Sequence, residues 1–177
     1  MRVFRTLLLL AVLPLAACGA LDTKDLPPCP RVSVLADASK MTRFKPGEGR
    51  DLTDVELQAE FLSYRGSCAY DPEKKVITLT LSVGIGLARG PAAKGRVQSL
   101  AYFIAIPAFY PDPKGRSELP VTVEFPEKSD RVRYTDDEVE VSIPIANLKD
   151  LGKYEVFLGL QLDRAALDYN RRQVNPR

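Results

Sequence analysis

The 177-residue chain contains no histidine and no tryptophan. Without histidine there is no Ser-His-Asp or Cys-His relay, no imidazole-based zinc site and no unperturbed side chain that titrates near neutrality. Carboxylate or lysine chemistry stays open in principle, but 23 acidic residues spread along the chain single out no pair. Without tryptophan, the Cys-Trp-Cys core of true immunoglobulin domains is missing. A charge of one sign is missing too: 25 basic residues face 23 acidic ones, and the excess is Arg2 and Arg5 at the extreme N-terminus. Beyond residue 17 the chain is formally neutral, so a broad nucleic-acid-binding surface has no electrostatic footing. Gly84, Gly86 and Gly90 miss the spacing and the strand-to-helix context of a dinucleotide loop, and Asp136, Asp137 and Glu138 are adjacent rather than alternating as calcium ligands are. We expect no metal, no cofactor and no catalysis.

What is present begins at the N-terminus. Arg2 and Arg5 precede an apolar run, Leu7 to Leu15, far too short for a permanent transmembrane helix. The run ends in Leu15-Ala16-Ala17-Cys18, which resembles the bacterial lipobox at all four positions. The resemblance implies removal of residues 1–17 and a thioether-linked diacylglycerol on Cys18. Each buried methylene contributes about 0.8 kcal/mol, so two or three acyl chains on one cysteine anchor a domain without a spanning helix. Gly19 stands where an inner-membrane retention signal would place Asp, which leans the address towards the outer membrane, facing the periplasm.

Residues 18–30 read as a lipidated tether, kept extended by Pro27, Pro28 and Pro30, and residues 31–177 as one domain. Cys29 and Cys68 are the two remaining cysteines, in a compartment where disulfides persist. A structural disulfide is expected, with two free thiols or a redox pair as the alternatives; the link would close a loop of about 40 residues and stabilise the fold by about 4 kcal/mol.

Through the domain the dominant signal has a period of two. Ile77, Leu79, Leu81, Val83, Ile85 and Leu87 alternate with Thr78, Thr80, Ser82, Gly84, Gly86 and Ala88, as in a strand with one face on the core. The small residues predict either a solvent face or a closely packed neighbour. Val139 to Ile145, Tyr154 to Leu162 and Val121 to Phe125 repeat the pattern. Val32 and Val34 begin the series, Val55 to Tyr64 fits more weakly, and Leu100 to Phe109 is apolar on both faces. Asp71-Pro72, Gly90-Pro91, Pro111 to Gly115, Pro126 and Gly152 supply the turns. The expectation is an all-β, immunoglobulin-like antiparallel sandwich of about seven strands. A short helical turn capped by Asp163 should follow, and another turn is expected at Asn147 to Asp150.

Two surface candidates stand out. Arg89, Lys94 and Arg96 put three cations and no acid in one connection, suited to a phosphate-bearing lipid or anionic polymer, unless it is simply a solvated hairpin. Phe109 and Tyr110, beside Pro111 and Pro113, form an aromatic corner of the kind that anchors interfaces. In the plainer reading Phe109 caps the core and Tyr110 covers the sheet end. Beyond the signal, Cys29-Pro30, Cys68 and the ending Gly159-Leu-Gln-Leu-Asp…Tyr-Asn-Arg171 resemble small exported lipoproteins of Gram-negative bacteria. That resemblance implies an address and an anchor, and carries over no active site. The functional expectation is a lipid-anchored envelope protein acting as a non-catalytic binding or assembly module towards an envelope protein. The rivals are a carboxylate-based hydrolase and a carrier of a small apolar ligand between the sheets. Oligomeric state stays open.

Overall fold

The computed structural model describes residues 28–174; the expected signal, Cys18 and the expected tether up to Pro27 lie outside the described residues. The alternation of residues 77–87 becomes a strand whose Ile77, Leu81, Val83 and Ile85 are wholly buried. Eight strands form: β1 (Val32–Val34), β2 (Lys40–Phe44), β3 (Val55–Asp71), β4 (Val76–Arg89), β5 (Val97–Ala105), β6 (Arg116–Glu124), β7 (Arg131–Pro144) and β8 (Val156–Leu160). They make two four-stranded sheets, in the orders β1-β8-β5-β6 and β2-β3-β4-β7. All pairs are antiparallel except β1 with β8. The inner faces meet in a core that includes Leu57, Tyr102, Val121, Phe125, Ile143 and Leu158. The fold is therefore an all-β sandwich.

The extra strand is β2. Its Lys-Met-Thr-Arg-Phe sequence turns Met41 inward but carries Arg43 at its next core-facing position, opposite Leu57, which breaks the alternation a sequence reading relies on. Arg43 reaches the other sheet instead, donating to Gln98 Oε1 at 2.6 Å and to the Ser99 carbonyl at 2.8 Å.

β3 extends seven residues past the expected Tyr64 because a bulge at Leu62 shifts its register against β4 between Phe61 and Ser63. The bulge reverses which residues face the core, so one alternation pattern cannot run through it. β5 ends at Ala105 rather than Phe109: Pro107 has no N–H for the ladder and opens a short 3-10 turn.

The last element is longer than a turn. Asp163 accepts from the Ala166 amide at 2.7 Å and starts α1 (Arg164–Val174). Both Leu167 and Tyr169 are half-buried, Tyr169 meeting Phe44 edge-on at 5.2 Å. Asn147 likewise caps a 3-10 segment, Leu148–Lys153, between β7 and β8.

Candidate interaction site

The three cations singled out in the β4–β5 connection have separate fates. That connection is a crossover from one sheet to the other, not a hairpin. It is fastened to the start of β3 by Gly90 and Ala92 amides donating to the Glu56 and Val55 carbonyls at 2.9 Å. A side chain at Gly90 would drive into the Val55 backbone. Arg89 donates from Nε and Nη2 to Asp130 Oδ1 at 2.9 and 2.5 Å. Arg96 Nε donates to the Phe125 carbonyl at 2.8 Å. These two arginines tie the crossover to the β6–β7 connection. Lys94 is exposed, with no ion pair or hydrogen bond among the described residues.

The aromatic corner lies at the other end of β5. Phe109 packs on Tyr154 at 5.4 Å between ring centres, with the Lys114 ammonium 5.5 Å from its centroid. Tyr110 instead points out, 86% exposed, so it does not cover the sheet end. The two sequence candidates therefore belong to two surfaces, separated by the length of β5.

Cys29 and Cys68 are joined by a disulfide, with Cα atoms 5.7 Å apart. The bond fastens the beginning of the domain to the distal half of β3. There the chain enters with Pro30 buried, and the Tyr64 hydroxyl donates to the Val32 carbonyl at 3.3 Å.

That distal half is the feature the sequence did not point to. β2 pairs β3 only over Val55 to Glu60, with one further bond from the Phe61 amide to the Ser39 carbonyl. From Leu62 to Asp71, β3 is paired with β4 on one side and with no described strand on the other. Leu62 to Ser67 are all exposed, whichever face they lie on. An extended strand turns alternate N–H and C=O groups to each side, so this margin offers a row of backbone donors and acceptors.

The other margins are guarded. β2 is covered by α1, whose Asn170 Nδ2 donates to the Lys40 and Asp37 carbonyls at 2.7 and 2.9 Å. β6 carries Pro120 at mid-strand. β7 is interrupted by a bulge of one extra residue, Asp137 and Glu138 together standing opposite Ser82, with Glu138 at φ 62°, and ends in Pro144. β1 is three residues long. Proline, bulges, brevity and a covering helix are the usual defences against strand addition.

Two open clefts are formed by the described residues. One, of about 560 Å³, runs over the outer face of β4: Gly86 and Ala88 form its floor, with Leu62 and Glu60 on one wall and Arg131 and Arg133 on the other. The small residues of β4 thus underlie a trough on the outer face. The second, of about 580 Å³, lies between β2, the segment that follows it and the start of α1, and includes Arg43, Lys45, Arg50 and Lys94. Between the sheets, Tyr102 fills the centre: wholly buried, it sits edge-on to Phe61 and donates to Asp136 Oδ2 at 2.7 Å. Burial first, and the Asp136 carboxylate second, push its phenol well above the usual range.

The carboxylates with the clearest perturbation sit in turns. Asp51, Asp71 and Asp112 are each held below the ordinary carboxylate value by hydrogen bonds. For Asp51 these come from the Thr53 hydroxyl and amide, for Asp71 and Asp112 from the amide and ammonium of Lys74 and of Lys114. A general acid at neutral pH needs the opposite shift. Among the described residues no cluster of three or more acidic or cysteine side chains could hold a metal, and no helix is long and apolar enough to cross a membrane.

Compared with known proteins, the chain matches no family model, no curated protein and no solved structure.

Proposed function

We propose that this is a lipid-anchored protein of the bacterial envelope, held through acylated Cys18 and facing the periplasm from the outer membrane. It acts as a non-catalytic binding module that accepts an extended segment of another envelope protein on the distal margin of β3. The single observation carrying the reading is that open margin, Leu62 to Asp71, in a molecule whose other strand edges are guarded. Strand addition needs only backbone groups for affinity, and alternate side-chain positions on one face, Ser63, Arg65 and Ser67, would supply selectivity.

The position of the margin supports the reading. Cys29 is linked to Cys68 within it, and Cys18 lies eleven residues upstream of Cys29. Even fully extended, eleven residues reach about 40 Å, so a lipid on Cys18 keeps the margin close to the membrane surface. The interior filled by Tyr102, Phe125 and Leu57 argues against a ligand carried between the sheets.

The test places a photo-crosslinking residue at Ser63, Arg65 or Ser67 in living cells, with Thr122 on β6 as the control. One discrete protein adduct from the β3 positions, and none from Thr122, is expected. No adduct at any β3 position, or equal adducts from Thr122, overturns the reading. The anchor is checked separately: radiolabelled palmitate should enter the protein and be lost with Cys18→Ala, and an unlabelled parent protein rejects it.

A further inference from the structure

The second cleft brings together charge that the sequence scatters. Arg43, Lys45 and Arg50 come from β2 and the segment after it, Lys94 from the β4–β5 crossover, and Asp163, Ala165 and Ala166 from the start of α1. Two of the cations are matched: Arg43 lies 3.5 Å from Glu56, and Lys45 lies 2.6 Å from Asp54. Asp163 faces the cleft with its carboxylate engaged by the Ala166 amide. Arg50 and Lys94 remain without a carboxylate partner among the described residues.

Arg50 is held rather than loose. Its Nη1 donates to the Gly47 and Gly49 carbonyls at 2.9 and 2.6 Å, and its guanidinium lies 5.3 Å from the Phe44 ring centre. Nε and Nη2 carry no hydrogen bond among the described residues, which leaves an edge of the fork unengaged. The segment carrying it is itself built. The Lys45 amide donates to the Asp54 carbonyl at 2.9 Å, and Asp51 and Asp54 form a reciprocal capping box. Gly49 has no room for a side chain beside the Asp54 carboxylate. An ordered guanidinium with an open edge, a second cation lining the same cleft and a helix start there suit a tetrahedral oxyanion. Met41, Phe44 and Leu100 give the cleft an apolar part that suits whatever the oxyanion is esterified to.

We propose that this cleft binds a phosphate ester, with Arg50 and Lys94 as its two cationic contacts. The site is independent of the β3 margin. The same chemistry occurs in a soluble ester and in a phospholipid head group, and the experiment has an arm for each. The full chain with Cys18→Ser, which has no thiol there to acylate, is titrated with glycerol 3-phosphate while backbone amide resonances are followed. It is also sedimented with vesicles of phosphatidylglycerol and, as the reference, phosphatidylcholine.

Shifts confined to Gly47–Arg50, Lys94 and Ala165–Ala166, weakened about tenfold in Arg50→Gln/Lys94→Gln, are the expected result for a soluble ester. Retention on phosphatidylglycerol vesicles alone, lost in the same variant, assigns the head group. Lys94→Glu, on an exposed side chain with no partner to lose, should reproduce the loss without touching the Arg50 segment. No response to either probe overturns the proposal. So does an equal loss in Lys128→Gln, an exposed cation outside the cleft, since that would be a general charge effect.

Discussion

The two halves of β3 are made of similar residues and have different lives. From Val55 to Phe61 the strand has β2 on one side and β4 on the other, and Leu57 and Ala59 are buried. From Leu62 to Asp71 it keeps β4, loses β2, and stays exposed over six consecutive residues on both faces. Hydropathy does not separate them: Leu62 and Tyr64 are 43% and 41% exposed, while Ala59 is buried. The neighbours decide. The proximal half is held by packing and two ladders, the distal half by one ladder and a covalent tie at Cys68.

The largest expected effect comes from cutting that tie. Replacing Cys29 and Cys68 by serine should cost about 4 kcal/mol by loop entropy, read as a lower urea midpoint. Hydrogen exchange should then rise in residues 62–71 before residues 55–61. Equal loss of protection in both halves would show that they open as one unit.

Next comes the packing contrast. Leu57→Ala should destabilise by about 2–5 kcal/mol, and Leu62→Ala by no more than about 0.5 kcal/mol. Similar costs at the two positions would erase the distinction.

A smaller effect attends Phe61's partner across the core. Tyr102→Phe removes the bond to Asp136 and should cost about 1–3 kcal/mol near neutrality. Its pH dependence has a definite sign. The folded-state pKa of Tyr102 is raised, so its contribution is full below the unfolded value of 10.0 and is lost as pH rises beyond it. The stability gap between parent and variant should therefore narrow in alkali.

The smallest effect tests the two ends of β3. Asp51 precedes it and Asp71 ends it, both with lowered pKa. Stability from these carboxylates is present above their ordinary value of 3.8 and lost as pH falls through the lower folded values. Asp51→Asn and Asp71→Asn should each reduce the acid sensitivity of unfolding. Unchanged acid curves in both would assign that sensitivity elsewhere.

The sandwich was legible because β4 and β8 obey a strict period of two, and any fold must bury that many aligned aliphatic side chains. Strand β2 was not, because Arg43 occupies a core-facing position and is satisfied by Gln98, more than fifty residues away in sequence. The length of β3 was hidden by the Leu62 bulge, which resets the alternation. Of the cations singled out in advance, the structure leaves Lys94 in a cleft and uses Arg89 and Arg96 to fasten one connection to another. Arg50 escaped notice because its significance comes from the ordering of its own segment. The Asp51-x-x-Asp54 capping pattern was the one local sign of that order. The open margin of β3 could not be read at all, since it exists only where β2 stops, and pairing partners are not written locally.

Glu138, Pro120, Pro144 and the Asn170 side chain together have a consequence for valency. If the distal margin of β3 accepts a strand as proposed, then with the other margins closed each copy would take a single added strand, and association would halt at a finite stoichiometry instead of propagating into fibrils. Were the proposed lipid anchor to concentrate the protein in two dimensions, that restraint would separate a reversible contact from a deposit.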